Sequence, residues 1–151
     1  MKEQVAYLDS SSLVKRYVKE PGSNLVKDLY LKAYSGELII AFSSWNIGEV
    51  LGAFDKAHSR GILDSKSFLT AKNRFLLETR RLIRLGVLRL IPVRFKLLVE
   101  CWTLLEKHHI YQADALQVAS AKAVNATKFF TGDKRIYEIA DAEGLNTVLT
   151  M

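Results

Sequence analysis

Short apolar runs alternate along the chain with longer segments of helical periodicity. The apolar runs predict five strands, at residues 5–8, 38–42, 87–91, 128–131 and 147–149. Apolar residues recurring every three or four positions predict the helices between them, at residues 13–18, 24–34, 45–60, 64–84, 95–108, 113–124 and 134–143. Strands that alternate with helices predict an α/β fold whose sheet, of four to five strands, is mainly parallel.

Capping residues mark the ends of these helices. Ser23 and Asp64 stand where N-caps are favoured, as do the serines at 10–12 and at 43–44, and Gly61 and Gly86 follow predicted C-termini. The apolar spacing of residues 64–84 predicts six core positions, namely Phe68, Leu69, Phe75, Leu76, Leu82 and Ile83.

Length and composition favour a single domain that spans residues 1–151. A chain of 151 residues that is 49% hydrophobic can bury one core. Because the sequence has neither an apolar run of roughly 20 residues nor a signal-peptide pattern, we expect a cytoplasmic protein with no membrane partner. The single cysteine, Cys101, lies among apolar residues and is expected in the core.

The net charge of +6 is concentrated in one segment. Residues 72–96 contain eight basic residues and one acid, Glu78. A concentration of positive charge attracts polyanions such as nucleic acid, but a solvated helix face has the same composition. Charge alone leaves both interpretations open.

Four acidic residues occupy positions that a parallel sheet brings together. Asp9 directly follows the first predicted strand and Asp133 follows the fourth, whereas Asp114 and Glu49 lie early in predicted helices. Ligands of open parallel sheets bind beyond the carboxyl ends of the strands, where the strand order reverses. The four carboxylates are therefore expected to converge there.

Each acid also has an ordinary structural explanation. Asp9 and Asp133 could be N-caps, and Asp114 could be a first-turn acid that the helix dipole favours. Helical periodicity places Glu49 opposite the apolar stripe of its segment, as expected of a surface residue. The small neighbours Gly48 and Gly52 would nevertheless allow another element to approach closely.

Clustered carboxylates indicate metal chemistry. Because they repel one another, a fold tolerates such a cluster chiefly when a cation neutralises it, and oxygen ligands select Mg²⁺ or Mn²⁺. Such an ion can activate water against a phosphodiester. Zinc chemistry is not indicated, since His108 and His109 are adjacent, and no glycine-rich phosphate loop follows the first strand.

Four segments together resemble the PIN domains and, within them, the VapC toxins of toxin-antitoxin modules. These segments are residues 7–13, 46–50, 113–121 and 130–133. The resemblance implies a three-layer α/β/α fold and Mg²⁺- or Mn²⁺-dependent cleavage of RNA to 5′-phosphate and 3′-hydroxyl ends. It also implies a homodimer and a cognate antitoxin.

The resemblance assigns roles to individual residues. It implies metal-binding and catalytic roles for Asp9, Glu49, Asp114 and Asp133, and supporting roles for the hydroxyls of Ser11 and Thr131. Many relatives carry another acid near the last aspartate, where this chain has Gly132 and Lys134. Asp141 is expected to be solvated, which leaves a second metal position open.

The leading hypothesis is a metal-dependent endoribonuclease whose basic segment, with Arg80, Arg81 and Arg84, binds RNA. One alternative is a non-catalytic interaction module of the same fold, in which the acids are only caps. A DNA-directed or structure-selective nuclease would use the same chemistry. Stabilisation by Mg²⁺ or Mn²⁺ would distinguish a metal site from scattered surface acids.

Overall fold

In the computed structural model, which describes residues 3–151, five parallel strands form a central sheet. The strands are β1 (Val5–Leu8), β2 (Ile39–Ser43), β3 (Leu88–Ile91), β4 (Lys128–Thr131) and β5 (Thr147–Leu149). Their order is β3-β2-β1-β4-β5, and every neighbouring pair is parallel. The order reverses at β1, so the crevice that binds ligands in such sheets lies beyond the ends of β1 and its neighbours.

Helices cover both faces of this sheet. Within the described residues they are α1 (Ser10–Val14), α2 (Ser23–Tyr34), α3 (Trp45–Ser59), α4 (Ser65–Arg84), α5 (Phe95–His108), α6 (Gln112–Ala123) and α7 (Lys134–Ala142). Buried side chains of α1–α4 form one core, and those of α5–α7 form the other. The predicted three-layer α/β/α class is thereby confirmed.

The position of β1 between the two cores explains why its sequence is a continuous apolar run. Ala6 and Leu8 pack into the core with α1–α4, whereas Val5 and Tyr7 pack into the core with α5–α7. Successive side chains of a strand point to opposite faces, and here both faces are covered, so all four residues are buried.

Two predictions for the first helices were wrong. The first helix begins at Ser10 rather than residue 13, because the Asp9 side chain accepts a hydrogen bond from the Ser12 amide and caps it. Gly22, not Ser23, is the N-cap residue of α2. Its φ is +93°, and a Cβ atom there would lie 2.4 Å from the carbonyl oxygen of Thr150, so only glycine fits this turn.

Half of the predicted core positions in α4 were also wrong. Phe75 and Leu82 are buried and Phe68 is half-buried, but three other predicted positions are exposed, namely Leu69, Leu76 and Ile83. The exposed residues recur every seven positions, one step around the helix from the buried stripe. That stripe instead includes Ala71 and Thr79. Periodicity located the apolar half of α4 but not the narrower face that packs.

Cys101 is buried, as predicted. Among residues 3–151, no helix combines the length and the continuous apolar character needed to cross a membrane.

Candidate active site

Four carboxylates from distant segments line one hollow at the carboxyl end of the sheet. The hollow has a volume of about 170 Å³ and is lined by Asp9, Ser10, Ser11, Glu49, Asp114, Gln117, Asp133 and Ile136. Asp9 follows β1, and Asp133 lies two residues beyond β4. α3 and α6 contribute the other two acids near their N-termini. The structure thus brings together all four acids that the sequence singled out.

Asp9 is the most enclosed of these acids, with 2% of its surface exposed. Its Oδ1 accepts hydrogen bonds from Ser11 Oγ at 2.6 Å and from the Ser12 amide at 3.0 Å. Its Oδ2 accepts one from Thr131 Oγ1 at 2.5 Å. Burial raises the pKa of Asp9 to about 6, although the three hydrogen bonds act in the opposite direction. An uncompensated negative charge at Asp9 is therefore unfavourable, and a nearby cation would relieve it.

Asp114 and Asp133 carry further negative charge at the same hollow. Burial, reinforced by the charge of Asp133, raises the pKa of Asp114. Asp133 is exposed and caps α7, where its Oδ1 accepts hydrogen bonds from the amides of Arg135 and Ile136 at 2.8 and 3.2 Å. Capping and proximity to a second carboxylate are thus combined in one side chain. The structural and chemical interpretations of Asp133 are compatible.

Glu49 reaches the hollow although it lies off the buried stripe of α3. It is half-buried, and its Oε1 accepts a hydrogen bond from Ser10 Oγ at 2.7 Å. Close approach at Gly48 and Gly52 is not the reason, because a Cβ atom on either glycine would have nothing within 4 Å. The hydrogen bond from Ser10, in the first turn of α1, links Glu49 to the hollow. Periodicity within α3 does not reveal this contact.

Ser11 and Thr131 connect Asp9 to the loop that carries Asp133. Ser11 Oγ, besides donating to Asp9, accepts a hydrogen bond from the Gly132 amide at 2.8 Å. Thr131 Oγ1 accepts one from the Asp133 amide at 3.0 Å. Both hydroxyls therefore fix the end of β4 relative to the end of β1.

Gly132, one of the two neighbours of Asp133, lies in a confined position. A Cβ atom on Gly132 would lie 3.1 Å from Lys15 Cε and 3.3 Å from Ser11 Oγ. A longer side chain at this position would displace one of these groups. Asp141 is exposed, as expected, and does not line the hollow.

A group of uncharged polar residues lies beside the acids and was not predicted from the sequence. Ser10 and Gln117 line the hollow, and Asn46 and Tyr7 are joined to Gln117 by hydrogen bonds. A signal was present, since Asn46 and Gln117 each stand three residues from an acid of the hollow within the same helix. Positions three apart share a helix side.

The donor set fits a hard divalent cation that keeps part of its water shell. Carboxylate, hydroxyl and amide groups line the hollow, and their oxygens are the ligands that Mg²⁺ and Mn²⁺ prefer. Among the described residues, however, no three histidine, cysteine or acidic side chains are close enough to enclose an ion by themselves. Water molecules would have to complete its coordination.

The predicted RNA-binding arginines lie away from these acids. Arg80 and Arg84 line an apolar groove with residues of α3, α4 and β3, and Arg81 lies near Tyr34 of α2. None of the three lines the acidic hollow. The basic segment therefore does not form a single face.

A second, basic hollow lies next to the acidic one. Its volume is about 540 Å³, and its charged lining residues are Lys15, Arg16, Lys19, Glu20, Lys27 and Arg74. The Lys15 side chain reaches from this basic hollow to Gly132, which hydrogen-bonds to Ser11 of the acidic hollow. Lys15, Gly132 and Ser11 thus connect the lining of the basic hollow with that of the acidic hollow.

A parallel α/β/α domain with carboxylates gathered where the strand order reverses defines the architectural class of this protein. The chain belongs to the PIN domain family, whose family model matches residues 6–142. No curated protein sequence gives a significant match.

Solved structures of toxin-antitoxin proteins share this fold over nearly their whole length. VapBC2 from Rickettsia felis, solved bound to a promoter DNA fragment, is 22% identical, with a TM-score of 0.61 and coverage of 97% of this chain and 98% of that chain. VapC20 from Mycobacterium tuberculosis, a toxin that cleaves the sarcin-ricin loop, is 17% identical, with a TM-score of 0.59 and coverage of 93% and 95%. A toxin-antitoxin complex from Klebsiella pneumoniae is 14% identical, with a TM-score of 0.61 and coverage of 97% and 98%. At these identities the likeness establishes the fold.

Proposed function

We propose that this protein is a metal-dependent endoribonuclease and the toxin of a toxin-antitoxin pair that acts in the cytoplasm. The observation that carries the proposal is the hollow itself, in which a PIN-family chain gathers four carboxylates, one of them the buried Asp9 whose pKa is raised. Such a site is unfavourable without a cation. Solved structures with the same fold include a nucleic-acid-cleaving toxin and toxin-antitoxin complexes.

Asp9, Glu49, Asp114 and Asp133 would hold Mg²⁺, or Mn²⁺ as a substitute, directly or through water. When bound, the ion supplies positive charge that polarises a phosphodiester and lowers the pKa of attacking water. Ser11 and Thr131 hold the two oxygens of Asp9 in fixed directions. The fixed orientation of Asp9 lowers the reorganisation that substrate binding requires.

The basic hollow is the part of the surface best placed to hold RNA beside the acids. Lys15 pairs with Glu20 and Arg16 with Glu78, whereas Lys19, Lys27 and Arg74 have no ion pair among residues 3–151. These three can contact phosphates without first breaking a salt bridge. The earlier prediction that Arg80, Arg81 and Arg84 bind RNA stays a prediction.

RNA binding measured without metal distinguishes binding at the basic hollow from binding at Arg80, Arg81 and Arg84. Fluorescence anisotropy with single-stranded RNA in EDTA would compare a triple alanine variant of Lys19, Lys27 and Arg74 with one of Arg80, Arg81 and Arg84. Loss of three phosphate contacts should reduce the slope of log affinity against log salt by about 2. We expect that reduction in the first variant. An unchanged slope in the first variant, with a reduced slope in the second, would favour RNA binding by Arg80, Arg81 and Arg84.

A homodimer and an antitoxin are further parts of the proposal. α5 exposes Phe95, Val99 and Trp102 on one side, and the two aromatic rings pack edge to face with centroids 5.8 Å apart. Exposed apolar clusters of this kind favour protein contacts. Light scattering of the purified chain should give twice the monomer mass, and a monomer would contradict the dimer.

Cleavage tests the proposal as a whole. Wild type and Asp9→Asn would be incubated with labelled single-stranded RNA and DNA in Mg²⁺, Mn²⁺ or EDTA, with Asp141→Asn as the control at an exposed acid outside the hollow. We expect RNA cleavage that requires metal, is nearly abolished in Asp9→Asn and is unchanged in Asp141→Asn. DNA cleavage alone would indicate a DNA-directed nuclease. Absence of both cleavage and metal-induced thermal stabilisation would favour a non-catalytic interaction module.

A further inference from the structure

Asn46 and Gln117 are buried amides in a hydrogen-bonded chain that ends at Glu49. Their exposed fractions are 0% and 3%. Gln117 Oε1 accepts hydrogen bonds from the Tyr7 hydroxyl and from Asn46 Nδ2, both at 2.8 Å. Asn46 Nδ2 also donates to Ser10 Oγ at 3.1 Å, and Ser10 Oγ donates to Glu49 Oε1 at 2.7 Å. The series of hydrogen bonds thus runs from Tyr7 of β1 to the Glu49 carboxylate in the hollow.

Three members of this chain are near neighbours of proposed metal ligands. Ser10 follows Asp9, Asn46 precedes Glu49 by three residues, and Gln117 follows Asp114 by three residues. Residues three apart lie on the same side of a helix. The amides therefore join the N-terminal turns of α1, α3 and α6, each of which carries or adjoins one carboxylate.

This arrangement leaves one polar atom unsatisfied. Asn46 Oδ1 is buried and has no hydrogen-bond partner among the described residues. Such atoms are rare in folded proteins because they destabilise the native state. An apolar residue at position 46 would avoid that penalty but would break the chain to Glu49.

We propose that Asn46 and Gln117 are positioning residues that, through Ser10, hold the Glu49 carboxylate in the hollow. The proposal rests on the proposed function insofar as it takes Glu49 to be a metal ligand. Glu49 is only half-buried, and the bond from Ser10 is the one hydrogen bond that its side chain makes among residues 3–151. Without the hydrogen bond from Ser10 its side chain can turn toward solvent. Groups that orient metal ligands typically change metal affinity by about 10- to 100-fold when replaced.

Variants of similar size separate positioning from packing. Asn46→Leu and Gln117→Met remove the polar groups and retain side-chain bulk. Thr79→Val is the matched control, because Thr79 is a buried residue of α4 whose hydroxyl has no partner among residues 3–151. The three readouts are Mn²⁺ affinity by calorimetry, cooperative unfolding in urea with EDTA, and metal-free crystal structures. If Asn46→Leu does not fold, Ser10→Ala breaks the same chain at the half-buried Ser10.

We expect Asn46→Leu and Gln117→Met to unfold cooperatively, to bind Mn²⁺ about 10- to 100-fold more weakly and to show Glu49 displaced while Asp9 stays in place. Thr79→Val should match wild type. In a Glu49→Gln background, Asn46→Leu should cause no further loss of affinity, because it acts through Glu49. An undisplaced Glu49 with unchanged affinity would overturn the proposal. If wild type binds no Mn²⁺, the proposed function fails, and the position of Glu49 in the metal-free crystals alone decides the role of Asn46.

Discussion

The raised pKa of Asp9 predicts that removing its charge stabilises the metal-free protein at neutral pH. Asp9 is 2% exposed, and its pKa of about 6 in the folded state exceeds the ordinary value of 3.8 by about two units. Between these values the folded state binds more protons than the unfolded chain. The free energy of unfolding therefore falls as pH rises from about 4 to about 6, by roughly 3 kcal/mol in total, and is then constant with respect to this group.

Asp9→Asn should abolish this fall in the free energy of unfolding, because asparagine carries no charge. Asparagine keeps one oxygen for the Ser11 hydroxyl and the Ser12 amide, but its NH₂ group replaces the acceptor that faces Thr131. Allowing about 1 kcal/mol for a weakened hydrogen bond leaves a net stabilisation of roughly 2 kcal/mol at pH 7.5. For a chain of this size that corresponds to an increase of roughly 4–8 °C in Tm.

Thermal unfolding in EDTA between pH 4 and pH 8 tests this reasoning. The difference between Asp9→Asn and wild type should be smallest near pH 4 and largest above pH 6. Asp64→Asn is the matched control, because Asp64 also caps a helix but is fully exposed and its pKa is lowered by the hydrogen bonds that it accepts at the start of α4. It should show no stabilisation at any pH. A less stable Asp9→Asn protein at pH 7.5 would refute the argument from burial.

Two further predictions concern stability away from the hollow. Glu143, with 7% of its side chain exposed and a pKa lowered to about 2 by hydrogen bonds, contacts three basic side chains, namely those of Lys107, His108 and Lys122. Glu143→Gln should cost roughly 1–2 kcal/mol at pH 7, measured by urea unfolding, and the deficit should shrink as pH falls from about 4.5 toward 2, where the wild-type carboxylate is protonated. Gly22→Ala should destabilise by about 2 kcal/mol or more, because its Cβ atom would collide with Thr150. Gly36→Ala, at a similar φ of +80° but in open space, should cost only roughly 1 kcal/mol in the same measurement.

Periodicity and capping rules predicted most of the fold because they depend on short-range patterns. β1, β4, β5 and α5 have the bounds that the sequence predicted. The errors arose where the environment of a residue depends on segments that are distant in sequence. Gly22 is required by Thr150, which is distant in sequence, and Leu69 is exposed because no element among residues 3–151 covers its side of α4.

The candidate site was predictable as a set of acids but not as a connected structure. Asp9 and Asp133 could be placed because the ends of parallel strands meet at one edge of a sheet. Glu49 could not be placed from α3 alone, because its position depends on Ser10 in another helix. Asn46 and Gln117 bear no charge, so their contribution appears only when the helices are assembled.

The contact between Thr150 and the loop before Asp133 bears on how the protein should be produced. Thr150 donates its amide to the Thr131 carbonyl, and its hydroxyl lies 2.8 Å from Ser12 Oγ. Anything fused after Met151 therefore leaves the fold close to Thr131, two residues before Asp133 of the acidic hollow. A polyhistidine tag at that end could bind the ions under study and obstruct a substrate. β1, in contrast, begins at the other end of the parallel strands, away from the carboxyl ends where the acids lie. Purification through an N-terminal, cleavable tag keeps metal titrations interpretable.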